Sequence, residues 1–131
     1  MYDKCMNTAG RILSCRQYSR NEMKRKLHDK GFADEEIEAV LLKLEEYKLI
    51  DDMEYAKSYV RGFLAKNRSK RVIKYELSKR LINADIIEEV IENIDDKEQL
   101  EKLIAKKFPE ADVDDYIQKQ KIYQYIRSKG F

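Results

Sequence analysis

What most constrains this chain is that it matches itself. A shift of 50 residues lays Ser69 on Ser19, Ile73 on Met23, Leu77 on Leu27 and Ile82 on Phe32. The same shift lays Ile87, Val90, Ile91 and Ile94 on Ile37, Val40, Leu41 and Leu44. It also lays Tyr55, Ala56, Tyr59 and Phe63 on Cys5, Met6, Ala9 and Leu13. Every pair keeps an apolar or a capping role. Self-similarity at such a period marks tandem units that bury their apolar faces against one another.

Within one copy the signals are helical. The first helix is predicted from about Asp3 to Arg16, with Cys5, Met6, Ala9, Ile12 and Leu13 as its apolar stripe. Ser19 and Glu22 have capping-box spacing, and Met23 and Leu27 turn one face of the second helix inward. Gly31 suits the left-handed position that ends a helix, and Phe32 follows as a plug. Asp34, Glu35 and Glu36 open a third helix, where acids meet the positive end of the dipole. Its stripe of Ile37, Val40, Leu41 and Leu44 keeps the i, i+3, i+4, i+7 order. In the second copy Leu81 stands in the place of Gly31, so that helix must end without a glycine.

The seam between copies is Tyr47 to Ala56. Leu49 and Ile50 sit at the joint, Asp51 or Asp52 can cap the next helix, and Glu54 completes an Asp-x-x-Glu spacing. Asp95-Asp96-Lys97-Glu98 echoes this seam and starts a third copy. Leu100, Leu103, Ile104 and Phe108 form its first helix, stopped by Pro109. After Asp114 or Asp115 a second helix carries Tyr116, Ile122 and Ile126 and ends at Ser128-Lys129-Gly130-Phe131. The sequence stops before a third acidic helix. The expected fold is all-α: tandem three-helix, helix-turn-helix-like units at 1–48, 49–94 and 95–131, forming an elongated array with the third incomplete. A single proline and 40% charged residues agree with helices rather than a β-sandwich. Leu27, Ile37, Val40, Leu44, Leu77, Ile87 and Val90 are the expected core.

The net charge of +2 names no partner, but the charges are sorted by helix. Second helices are basic: Arg20, Lys24, Arg25, Lys26 and Lys30, then Lys70, Arg71, Lys74, Lys79 and Arg80, then Lys119, Lys121, Arg127 and Lys129. Third helices are acidic, as in Glu38, Glu45 and Glu46 or Glu88, Glu89 and Glu92. Stacked copies would draw each sign into a stripe, and a basic stripe can follow a phosphate backbone or an acidic groove. Arg20, Lys24, Arg25, Lys70, Arg71, Lys74, Lys121 and Lys129 are the candidate contact residues. The plainer alternative is that basic and acidic helices simply neutralise each other. The basic helices resemble the reading helix of a helix-turn-helix only weakly, because lysine-rich faces suit non-specific contact.

No catalytic residue set, metal cluster or cofactor loop is legible. His28 stands alone on a basic helix, no Cys/His spacing fits zinc, and no glycine loop fits phosphate. Cys5 and Cys15 lie ten positions apart on one helix, about 80° apart around it, so they cannot bridge. Both are expected to be free buried thiols. Tyr47, Tyr55, Tyr59 and Tyr75 are expected mostly to pack into core or groove. No signal peptide is expected ahead of the mixed first helix and no apolar run reaches bilayer length, so no membrane partner is expected.

Several of these stretches together resemble the RecX family. They are Ser19-Arg-Asn-Glu-Met-Lys-Arg-Lys-Leu, Lys30-Gly31-Phe32, Leu49-Ile50-Asp51-Asp52 with Tyr55-Ala56 and Tyr59-Val60-Arg61, and Ser69-Lys-Arg-Val-Ile-Lys-Tyr-Glu-Leu77. The most telling part is Leu-Ile-Asp-Asp-x-x-Tyr-Ala. The resemblance implies a cytoplasmic regulator of the RecA recombinase, built from three-helix repeats, that lies in the groove of the RecA–DNA filament. It implies inhibition of strand exchange and coprotease activity, weak DNA binding, and no small-molecule substrate. The sequence departs from the family where Asn67-Arg68 stands in place of a common Gly-Pro. The competing reading is a stand-alone, non-specific DNA-binding helical module.

Overall fold

The computed structural model describes residues 2–110 and 115–131, and folds them into eight α-helices with no strand. The candidate cap Asp114 lies outside the described residues. Helices α1 (Tyr2–Leu13), α2 (Arg20–Asp29) and α3 (Asp34–Glu46) form one unit, and α4 (Asp52–Ala65), α5 (Lys70–Lys79) and α6 (Ala84–Ile91) repeat it. Helices α7 (Asp96–Lys107) and α8 (Tyr116–Ser128) follow. In each of the first two units all three helices pack on one another. The first helix ends at Leu13, three residues earlier than expected, where the Cys15 N–H turns to the Ile12 carbonyl.

Helix ends explain why the units recur. Ser19 caps α2 with a full capping box: its hydroxyl accepts the Glu22 N–H at 3.1 Å, and Glu22 accepts the Ser19 N–H at 3.0 Å. Ser69 caps α5, Asp51 caps α4, Asp95 caps α7 and Asp115 caps α8. Five helices finish with a left-handed residue, followed by an N–H that reaches back five positions. Phe32 bonds to Leu27, Leu49 to Leu44, Arg68 to Phe63, Ile82 to Leu77, and Phe131 to Ile126. The left-handed residues are Gly31, Lys48, Asn67, Leu81 and Gly130. Leu81 takes φ +60° where Gly31 takes +90°, so the second unit keeps the turn and accepts the strain of a side chain there.

Two cores follow the predicted stripes. Cys5, Ala9, Met23, Leu27, Ile37, Val40, Leu41, Leu44 and Ile50 fill the first. Tyr55, Ala56, Val60, Ile73, Leu77, Ile82, Ile87 and Ile91 fill the second. Val90 departs from expectation: it is half-buried, because α6 stops at Ile91 and leaves it on the rim. Cys15 is exposed rather than buried, because it lies past the end of α1. In the last pair of helices Leu103 and Ile122 are buried, whereas Tyr116, Ile117 and Tyr123 stand at 72%, 65% and 50% exposure. That face has no third helix over it among the described residues.

Candidate functional site

The eight candidate cations occupy different settings. Arg20 bonds Glu38 at 2.6 Å and Glu45 at 2.8 Å, and Lys24 bonds Glu38 at 3.0 Å, so α2 and α3 are clamped by charge. Lys74 meets Glu88 at 2.9 Å in the second unit. These three are bound as the neutralising alternative describes. The two cations on Glu38 hold its carboxyl below the usual carboxylate range. Arg71 donates to the Gly130 carbonyl at 2.9 Å, and the Lys70 backbone N–H donates to Asp96 at 2.7 Å. Arg25 and Lys121 are exposed and form no ion pair among the described residues. Lys129 is half-buried and caps the end of α8.

The paired aspartates form the joint. Asp51 accepts from Glu54 within its own unit, while Asp52 reaches back to accept the Arg20 N–H at 2.8 Å. Asp95 and Asp96 repeat this division, Asp95 capping α7 and Asp96 accepting the Lys70 N–H of α5. The helix ends meet as well. The buried Ser19 hydroxyl donates to the Arg80 carbonyl at 2.7 Å, and Asn21 donates to the Leu81 carbonyl at 2.9 Å. At the next joint Arg71 takes the role of Asn21 toward Gly130. A Cβ on Gly130 would collide with Val72 and lie 3.3 Å from the Ser69 hydroxyl, so this contact requires glycine. The start of α2 thus abuts the end of α5, and the start of α5 abuts the end of α8. Each N-terminal dipole end faces the carbonyls of the next basic helix.

A second charged face lies on α4. Tyr55 is buried and donates to Glu22 at 2.8 Å. Burial, then that carboxylate, pushes its hydroxyl well above the ordinary phenol range and keeps it a donor. Tyr59 packs against Tyr55 at 4.9 Å and Phe63 at 6.2 Å, with the Arg80 guanidinium 4.1 Å above its ring. Arg16, Lys66 and Arg80 ring a cavity of about 490 Å³ over these aromatics. Tyr47 and Tyr75 do not join a core. They are 64% and 62% exposed, each with a lysine four residues away 5.5 Å from its ring.

Next to it is a cleft of about 340 Å³ where the ends of α4, α7 and α8 meet. Lys66, Arg68, Lys106, Lys107 and Lys129 line it, with no carboxylate. Of these, sequence reasoning singled out Lys129 alone. Sorting charge by second helix passes over lysines that close the other helices; the usable signal was Lys106-Lys107 and Lys66 at helix ends. His28 is exposed, and no group of His, Cys, Asp and Glu among the described residues could hold a metal. No helix among them is long and apolar enough to cross a membrane.

These features define a class: an all-helical protein of tandem three-helix units, linked through capping residues, whose chemistry lies in charged and aromatic surfaces. Family models for the first, second and third three-helix domains of RecX match residues 5–44, 51–91 and 95–131. The chain belongs to the RecX family. It is 32% identical over 129 residues to the regulatory protein RecX of Prosthecochloris aestuarii, covering 98% of this chain and 85% of that one. It is 31% identical over 134 residues to that of Clostridium perfringens, where it spans 63% of the relative's length. The crystal structure of RecX from Lactobacillus salivarius superposes with a TM-score of 0.79 at 30% identity, covering 99% of this chain and 88% of that one.

Proposed function

We propose that this chain regulates the RecA recombinase by lying in the helical groove of the RecA–DNA filament, where it restrains strand exchange and coprotease activity. The observation that carries this reading is the family match along all three units, each in its own order along the chain. The chain would act in the cytoplasm, where RecA works. The row of abutting basic helices supports the reading, since it sets positive charge along a line rather than on one spot. Such a line suits a filament that presents phosphates at regular intervals. Arg25 and Lys121 are among its exposed charges that form no ion pair among the described residues, and Lys74 and Arg71 are exposed charges that a stronger anion can compete for.

Co-sedimentation with RecA–ssDNA filaments, with naked ssDNA as control, tests the reading. The chain is expected to pellet with the filament and to slow strand exchange. The triple change Arg25→Glu, Arg71→Glu, Lys74→Glu is expected to keep the helical circular dichroism and weaken inhibition severalfold. Equal pelleting with naked ssDNA and no effect on strand exchange would instead leave a stand-alone DNA-binding module.

A further inference from the structure

Of the cations of α2 and α5, Arg20, Lys24 and Lys74 are answered by acids of α3 and α6, and Lys79 and Arg80 by Glu76 of α5 itself. The cleft between α4, α7 and α8 is different. Lysines near helix C-termini each gain from the dipole, by about 0.3–1 kcal/mol when exposed. That accounts for Lys66, Lys106, Lys107 and Lys129 one at a time, since each closes or ends a helix. It does not account for three helix ends converging on one cleft with five cations and no carboxylate. Like charges so gathered repel, and an anion that bridges them relieves the repulsion.

Lys66 also lines the neighbouring aromatic cavity, so the two form one surface. Tyr125 holds two of the cleft's cations in place, with Lys107 and Lys129 at 5.6 and 5.5 Å from its ring. On the other side lie the Tyr59–Phe63 stack and the Arg80–Tyr59 layer, flat π-surfaces of the kind on which bases stack. Gly62 sits between them inside α4, where glycine costs about 1 kcal/mol relative to alanine. A Cβ there would meet nothing within 4 Å, so protein packing does not require the glycine. Its effect is to keep the surface open to close approach.

We propose that this surface, which takes Arg80 and Lys129 from the ends of two basic second helices, is a binding site for single-stranded nucleic acid distinct from the surface of Arg25, Arg71 and Lys74. The cleft cations take consecutive phosphodiesters, and the Tyr59–Phe63 side takes bases. An acidic peptide would satisfy the cations but leave the aromatic floor without a matching partner. The inference does not depend on RecA, and the binding assay that decides it contains none.

The probe is a labelled oligothymidylate of about 20 nucleotides, longer than one small ssDNA site, read by fluorescence anisotropy on the full chain. Lys66→Ala, Lys106→Ala and Lys107→Ala together remove exposed charges without touching a core. This variant is expected to bind at least tenfold more weakly, with a shallower salt dependence by about two units of slope for three lost phosphate contacts. Gly62→Glu, whose Cβ would meet nothing within 4 Å, is expected to weaken binding comparably. Lys4→Ala with Lys97→Ala, exposed lysines of α1 and α7 that line neither cavity, is expected to change it less than twofold. The proposal is overturned if the triple variant, folded by circular dichroism, binds like the parent. It is also overturned if polyglutamate of equal charge displaces the oligonucleotide as well as unlabelled strand does. RecA co-sedimentation by the same triple variant is scored separately, so loss of one activity with retention of the other tells the two surfaces apart.

Discussion

At Asp52 one residue serves two helices, and its energetics follow from that. It sits in the first turn of α4, yet its carboxylate accepts the N–H of Arg20, which opens α2. Burial raises its pKa above the usual aspartate value, against the pull of that hydrogen bond and of the Arg20 charge. The folded state therefore takes the proton first. The stability this brings is complete below the unfolded pKa of about 4 and is lost as pH rises through the folded value. Asp52→Asn keeps an acceptor and drops the buried charge. It is expected to gain on the parent as pH rises from about 3 to 7. Asp52→Ala leaves the Arg20 N–H unanswered and is expected to cost about 1–2 kcal/mol. Urea unfolding at both pH values checks this; equal losses for Asn and Ala at pH 7 would mean the acceptor is not what matters. The sequence marked Asp51 and Asp52 as rival caps for one helix. Each caps a different helix, and the partner of Asp52 lies 32 residues back, beyond any local pattern.

Among elements, the helices were the most legible part, because apolar period and capping residues act within a few residues of each other. The 50-residue shift places α5 residue for residue on α2, and even Leu81 adopts the turn that Gly31 predicts. Their ends were less so: α6 is shorter than α3, which moved Val90 from core to rim. The charge sorting was legible too, but not its use, since the two readings of a basic helix differ only in what lies opposite it. For Arg20 and Lys24 of α2 the answer is α3. Glu38, held low by hydrogen bonds from Lys24 and Arg20, contributes stability above the unfolded glutamate pKa and loses it as pH falls through its lower folded value. With its side chain 45% exposed, solvent screens the clamp. Glu38→Gln is expected to cost at most about 1 kcal/mol near pH 7. The difference should shrink as pH falls below the unfolded glutamate pKa and Glu38 takes up its proton. A gap that persists in acid would assign the loss to side-chain packing rather than charge.

Across the whole molecule, polar bonds between helix ends join units that each hold their own core. Ser19 bonds the Arg80 carbonyl 61 residues away, and Arg71 bonds the Gly130 carbonyl 59 residues away. No periodicity in the sequence names such partners, although Gly130 hints at one by being glycine. The first two units have cores of eight or nine buried apolar residues, while α7 and α8 bury Leu103 and Ile122. Quasi-linear repeats of unequal strength open locally before they open globally. The last helices are therefore the weak end, and the junction at Gly130 holds them. At φ +89°, with Val72 and the Ser69 hydroxyl in the way of a Cβ, Gly130→Ala strains the turn and pushes α8 off the start of α5. Amide hydrogen exchange is expected to quicken by tenfold or more across α8 and the C-terminal half of α7. The cores around Leu27 and Leu77 should keep the protection they have in the parent. Faster exchange spread evenly over all eight helices would mean the chain opens as one cooperative body. Unchanged exchange in α8 would mean its contacts with α7 hold it without the junction.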